Sequence, residues 1–265
     1  MEIGVSTATL FGREYNETAL TILNKIDSRV TEIFLESFCE YKTEYAKILL
    51  ETLESLKVHS VHTLNTHFEP QLFSINKRAY DDALLIFEEV LKCAQILGAK
   101  NYTMHGRIRI KKGTEFNNFS EYGKYFSCLT DLCKKYGVEL CIENVEWAFY
   151  GKVGFFKGVK EYAPDLKACL DIKQARLSGY DYREFICDMG NSINTVHLSD
   201  HDEKGRILLP GKGKFNFREL FNRLNDVGFN GNMLIEVYKE SFSDYDEIVE
   251  SLEYLRNLKC EVFVK

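Results

Sequence analysis

The stretch KACLDIKQ (Lys167–Gln174) is a short apolar run that turns polar at Asp171. Three other stretches repeat the design: ELCIENVEW (139–147) arrives at Glu143, INTVHLSD (193–200) at His197 and NMLIEVY (232–238) at Glu236. A short apolar run that ends in polar residues is the mark of a buried parallel strand opening into a loop. Working outward, the same reading predicts strands over 2–8, 30–36, 58–64, 100–106, 139–145, 167–173, 193–199 and 232–238. Helical periodicity fills the gaps. INKRAYDDALLIFEEVLKCAQILGA repeats apolar positions at steps of three and four and stops at Gly98, YGKYFSCLTDLCKKYG stops at Gly137, and FNFRELFNRLNDVG stops at Gly228. DYDEIVESLEYLRNL closes the chain as a last helix. Strands alternating with helices, three prolines in all and no low-complexity linker predict a single-domain (β/α)8 TIM barrel over residues 1–265. A doubly wound open sheet is the alternative, but no G-x-G-x-x-G follows the first strand.

Composition narrows the function. The 265 residues are 45% hydrophobic and 28% charged, enough for a large core, and a net charge of −6 argues against a general nucleic-acid binder. The eight cysteines are irregularly spaced with no C-x-x-C pair, so they are expected to be reduced and buried. MEIGVSTAT reads as a strand, not a leader, and no apolar run approaches the ~20 residues that span a bilayer. A cytoplasmic protein without a membrane partner is expected; a homo-oligomer is left open.

Barrel chemistry belongs at the C-terminal strand ends, where Glu143, Asp171, His197 and Glu236 would stand on four successive strands. Three carboxylates and an imidazole at one mouth repel unless a divalent cation neutralises them. So oxygen-rich a set suits Mn²⁺, Mg²⁺ or Co²⁺ better than a thiolate zinc site, with catalytic Zn²⁺ also compatible. Taken singly, each is an ordinary cap or salt-bridge partner; taken together they are a metal-site prediction. His62 in SVHTLN and His105 in YTMHGR end strands three and four. They could join Glu143 around a second ion, contact substrate hydroxyls, or be structural. His67 and Glu36 are further mouth residues, and His59 receives no role. Arg107, Arg109, Lys173, Arg206, Lys212 and Lys214 could receive a phosphate or carboxylate. PGKGKF (210–215) lies where barrels often bind phosphate, though it is no P-loop. Trp147 and Phe149 are expected to pack under their loop, with a pocket wall as the other option.

The order H-x-L, M-H-G, I-E-N, L-D-I, V-H-L-S-D, G-K-G and L-I-E-V-Y, spread over nearly the whole chain, resembles the sugar phosphate isomerase/epimerase superfamily. These are xylose isomerase-like barrels that include ketose 3-epimerases and endonuclease IV. The resemblance implies that Glu143, Asp171, His197 and Glu236 are the four metal ligands of the epimerases. It also implies that His62, His105 and Glu143 match a second zinc set of the endonuclease branch. Gln174 replaces a histidine of both branches, and Gly205, Arg206 and Ile207 replace the endonuclease D-x-H, so a third zinc would lack its ligands. Glu203 stands where the epimerases carry an arginine, with Arg206 close by. Gln174, Arg107 and Arg206 are thus candidate substrate-binding residues. The implied activity is a divalent-metal-dependent isomerase/epimerase of a sugar or sugar phosphate. It would abstract a proton beside a carbonyl through an enediolate, with Glu143 and Glu236 as acid and base. A dinuclear AP endonuclease-like phosphodiesterase, a polyol-ketone dehydratase and a non-catalytic sugar-binding barrel are the competing readings.

Overall fold

The computed structural model describes residues 1–64, 66–109 and 118–263. Eight parallel strands close on themselves: β1 (Ile3–Ser6), β2 (Val30–Leu35), β3 (Lys57–Thr63), β4 (Asn101–Met104), β5 (Glu139–Glu143), β6 (Lys167–Asp171), β7 (Ile193–Leu198) and, after a hairpin, β10 (Asn232–Ile235). The hairpin pairs β8 (Asp200–His201) with β9 (Ile207–Leu208) in antiparallel fashion at the barrel mouth. The outer helices are α1 (Asn16–Lys25), α2 (Thr43–Thr52), α3 (Lys77–Ile96), α4 (Phe119–Lys135), α5 (Phe155–Lys160), α6 (Ile172–Leu177), α7 (Tyr182–Met189), α8 (Phe217–Asp226) and α9 (Asp246–Val262). All eight predicted strands form, and the closed order excludes the open-sheet alternative.

Strand side chains alternate, so each strand serves two environments. One set (Val5, Ile33, Val61, Tyr102, Leu140, Leu170, Val196 and Ile235) belongs to the apolar core shared with the helices. The other set faces the barrel axis and is unusually polar: Ser6, Glu32, Ser60, Thr103, Glu143, Asp171, Thr195 and His197 are all buried. Three helices stop just before Gly98, Gly137 and Gly228, whose φ values of 73°, 70° and 72° are the left-handed conformation that ends a helix.

Two expectations need correction. The predicted strands overrun, most clearly at 172–173, which already belong to α6 because Asp171 caps that helix by accepting from the Gln174 N–H. Nor are the cysteines uniformly buried. Cys93, Cys133, Cys141 and Cys169 are, but Cys39, Cys128, Cys187 and Cys260 are exposed, the last three on the outer faces of α4, α7 and α9. All eight are unpaired. Among the described residues, no helix is long and apolar enough to cross a membrane.

Candidate metal centre

Register explains how six residues from six strands meet. His62 pairs with Thr103, so His105 lies two residues further along; Thr103 pairs with Cys141, which sets His105 level with Glu143. Glu143 pairs with Cys169, two before Asp171; Asp171 pairs with His197; and His197 pairs with Leu234, two before Glu236. Every offset is even, so all six share the axial face. Their steady climb around the ring is the stagger that tilted barrel strands require of a level set of side chains.

Glu143, Asp171, His197 and Glu236 each contribute one atom to a group whose members lie within 4.8 Å of one another; His62, His105 and Glu143 form a second such group. Glu143 joins the two. Its Oε1 lies 3.6 Å from His197 Nδ1, while its Oε2 lies 3.3 Å from His105 Nε2 and 3.7 Å from His62 Nε2. Glu236 Oε2 is 3.1 Å from His197 Nδ1. Asp171 spends Oδ1 on the Gln174 N–H at 2.9 Å, which leaves Oδ2 for the site. Asn144 clamps the Asp171 backbone from both sides, accepting from its N–H at 2.7 Å and donating to its carbonyl at 2.9 Å.

The donor set fits a divalent cation. Glu143 Oε2, Asp171 Oδ2, His197 Nδ1 and Glu236 Oε2 are buried atoms without a hydrogen-bond partner, and buried polar atoms are ordinarily satisfied. Like charges 4 Å apart repel by about 4 kcal/mol per pair at the effective dielectric of a protein site, so three carboxylates here call for positive charge. Part of it comes from Lys173, whose buried ammonium lies 3.4 Å from Asp171 Oδ2 and 3.3 Å from Glu236 Oε1, and 4.9 Å from the centre of the Tyr238 ring. Burial pushes the Asp171 carboxyl up to about 6, against the pull of Lys173. Burial also opposes charge on Glu143, yet His105 and His197 hold its carboxyl well below the usual range. Despite burial, Glu143 raises the His105 pKa, and Cys169, Glu236 and Glu32 raise that of His197.

Three carboxylates beneath and beside the site were not singled out from sequence. Glu32 is fully buried below the candidate ligands and lies 3.0 Å from His197 Nε2. Glu69 accepts from the His105 and Gly106 N–H groups, both at 3.0 Å, and from the Tyr102 hydroxyl at 2.7 Å, fixing the turn that carries His105. Asp200 accepts from the N–H groups of His201, Gly211, Gly213 and Phe215 at 2.7 to 3.1 Å. Asp200 therefore overturns the phosphate reading of PGKGKF, because the amides that would cradle an anion already hold a carboxylate. The available signal was a charge inside an apolar strand at Glu32 and an acidic residue at the strand-seven exit at Asp200.

The remaining candidates scatter. Gln174 stays at the rim, its Oε1 accepting from the Glu146 N–H at 3.1 Å. Arg107 turns outward to the Tyr122 hydroxyl at 3.0 Å, and the exposed Arg206 pairs with Asp202 at 2.6 Å; neither is brought to the ligand set. Arg109 engages Glu146, and Lys212 pairs with Glu250. His67 bonds Tyr41 at 2.8 Å and stacks on Phe38. Glu36 donates its N–H to Glu40 and has a carboxyl raised to about 7 by burial and by Glu40. His59 bonds Thr195 at 2.8 Å and Asn232 at 3.0 Å, away from the metal set. Trp147 is half-buried with its ring 5.1 Å from that of His105, a wall of the site, while Phe149 packs on Tyr122 as expected.

Known proteins share this architecture. A solved D-tagatose 3-epimerase-like protein superposes with a TM-score of 0.80 over 99% of this chain and 98% of its own, at 18% identity. The IolI protein with a bound zinc atom gives 0.79 over 100% of both chains at 15%, and D-psicose 3-epimerase with D-fructose gives 0.76 over 99% of both at 14%. An uncharacterised protein of Methanocaldococcus jannaschii is 28% identical over 151 residues, 50% of either chain, so the match spans about half the length of this curated relative. The model of the xylose isomerase-like TIM barrel family matches residues 23–258, and the chain belongs to that family.

Proposed function

We propose that the protein is a divalent-metal-dependent isomerase or epimerase of a sugar or sugar phosphate. The observation that carries this reading is the convergence of four buried, unpartnered donor atoms from Glu143, Asp171, His197 and Glu236 at the barrel mouth. A cation held there would act as a Lewis acid towards a substrate carbonyl and its neighbouring hydroxyl. Asp171 and His197 serve as ligands only. Glu236 is the proton carrier nearest solvent, its side chain 14% exposed where that of Glu143 is 1% exposed, and Lys173 holds its Oε1. Glu143, reaching the same centre from the far side of β6 and β7, is the second proton carrier. Proton removal beside the carbonyl leaves an enediolate; return to the opposite face of the same carbon epimerises, and delivery to the adjacent carbon isomerises. Trp147 and Phe34, whose ring lies 5.2 Å from His62, provide apolar walls that limit water at the reacting carbon.

The test is to load the protein with Mn²⁺ or Co²⁺, incubate it with a panel of ketoses and their phosphates in D₂O, and follow deuterium beside the carbonyl. Incorporation is expected with at least one substrate, and Glu143→Gln and Glu236→Gln should each reduce it by a factor on the order of 10³. A second reading, a dinuclear phosphodiesterase, is favoured by one observation: His62 donates from Nδ1 to the Thr103 carbonyl at 2.8 Å, which directs Nε2 towards His105 Nε2, 3.1 Å away, and Glu143, the three residues that could hold a second ion. Nicking of abasic DNA without any deuterium uptake would establish that reading and sink the isomerase.

A further inference from the structure

Glu32 is a charged residue with no exposure to water, held in the barrel floor by hydroxyl donors from three other strands and by a charge contact with His197 on a fourth. Ser60 and Thr103 donate their hydroxyls to Oε2 at 2.7 and 2.6 Å, Ser6 donates to Oε1 at 3.2 Å, and His197 Nε2 meets Oε1 at 3.0 Å. A buried carboxylate is expensive unless its oxygens are fully engaged, and these are. The three hydroxyls could be satisfied by any polar neighbour. The histidine is different, because its other nitrogen, Nδ1, faces Glu236 and Glu143.

We propose that Glu32 is the positioning residue of the metal centre: it holds the proton of His197 on Nε2, fixes the ring plane, and leaves the Nδ1 lone pair directed at the cation. A carboxylate, which only accepts, selects one of the two imidazole tautomers, and its charge makes the opposite nitrogen a better donor. The same floor reaches the second cluster. Thr103 bonds Glu32 through its hydroxyl, while its carbonyl accepts from His62 Nδ1, so both histidines present the nitrogen remote from the floor. Glu32 touches neither substrate nor cation; it acts through His197.

The inference rests on the metal reading, so the experiment begins with the wild-type protein. Titration of the chelator-stripped wild type with Co²⁺, followed by visible absorption, should give saturable binding. No binding at all would overturn the metal reading and this inference with it. Glu32→Gln keeps the volume and a hydrogen-bonding group but removes the charge. It is expected to weaken Co²⁺ binding about 10- to 100-fold and to shift the absorption bands, with unchanged circular dichroism. A folded Glu32→Gln with wild-type affinity and bands would overturn the inference while leaving the metal reading standing. Should the variant not fold, the wild type decides alone. With ¹⁵N-labelled histidine and Zn²⁺ bound, the His197 Nε2–H should resonate downfield of a free imidazole N–H, as a proton shared with a carboxylate does; a proton on Nδ1, or an Nε2–H without that shift, would overturn the inference.

Discussion

Glu143 divides its oxygens between two histidine-bearing clusters, and Asp171 divides its own between a helix cap and the centre. The second division has a pH consequence. Burial raises the Asp171 carboxyl from 3.8 to about 6, so in the metal-free fold it keeps its proton up to about pH 6. That stabilising contribution is fully present below 3.8 and is lost as pH rises through about 6. Cation binding requires the opposite, the ionised form. Affinity for Mn²⁺, measured by calorimetry from pH 5 to 8, should therefore fall as pH drops through 6, with protons released on binding; a flat profile would contradict the shift. The four candidate ligands were legible in sequence because each stands where an apolar run ends. Glu32 was marked only by its charge inside VTEIFL, and because that strand is buried throughout, its composition does not say which residues face the axis.

At the scale of elements, a two-residue period placed the chemistry. His62, His105, Glu143, Asp171, His197 and Glu236 come from six strands, and an odd register slip in any of them would turn its residue out towards the helices. Strands and long helices were legible through their periodicity. The β8–β9 hairpin and the short helices α6 and α7 were not, since two- to eight-residue elements are set by local hydrogen bonds such as the Asp171 and Asp181 caps. Asp200 organises the loop beyond the hairpin in the same way. A Cβ at Gly213 would come within 2.4 Å of its Oδ1, so glycine is required where the loop backbone meets the carboxylate. Asp200→Ala, which strips four N–H groups of a charged acceptor, should destabilise the protein by about 3 kcal/mol in urea unfolding, and a loss under about 1 kcal/mol would deny Asp200 this role.

For the whole molecule, the parts agree: an apolar jacket between strands and helices, a polar axis, and at its open end a cluster of acids with too little positive charge of its own. The barrel and the place of the site followed from the sequence, because alternation and strand ends are written locally. The neighbours that touch the candidate ligands come from strands distant in the chain and needed the closed ring to be seen. The most direct measurement is a calorimetric titration of Mn²⁺ into the chelator-stripped wild-type protein, alongside Asp171→Asn and His197→Gln. One or two saturable sites in the wild type, weakened at least 10-fold in each folded variant, is the predicted result. Wild-type protein that takes up no divalent cation, or variants that bind as tightly as the wild type, would contradict the metal centre.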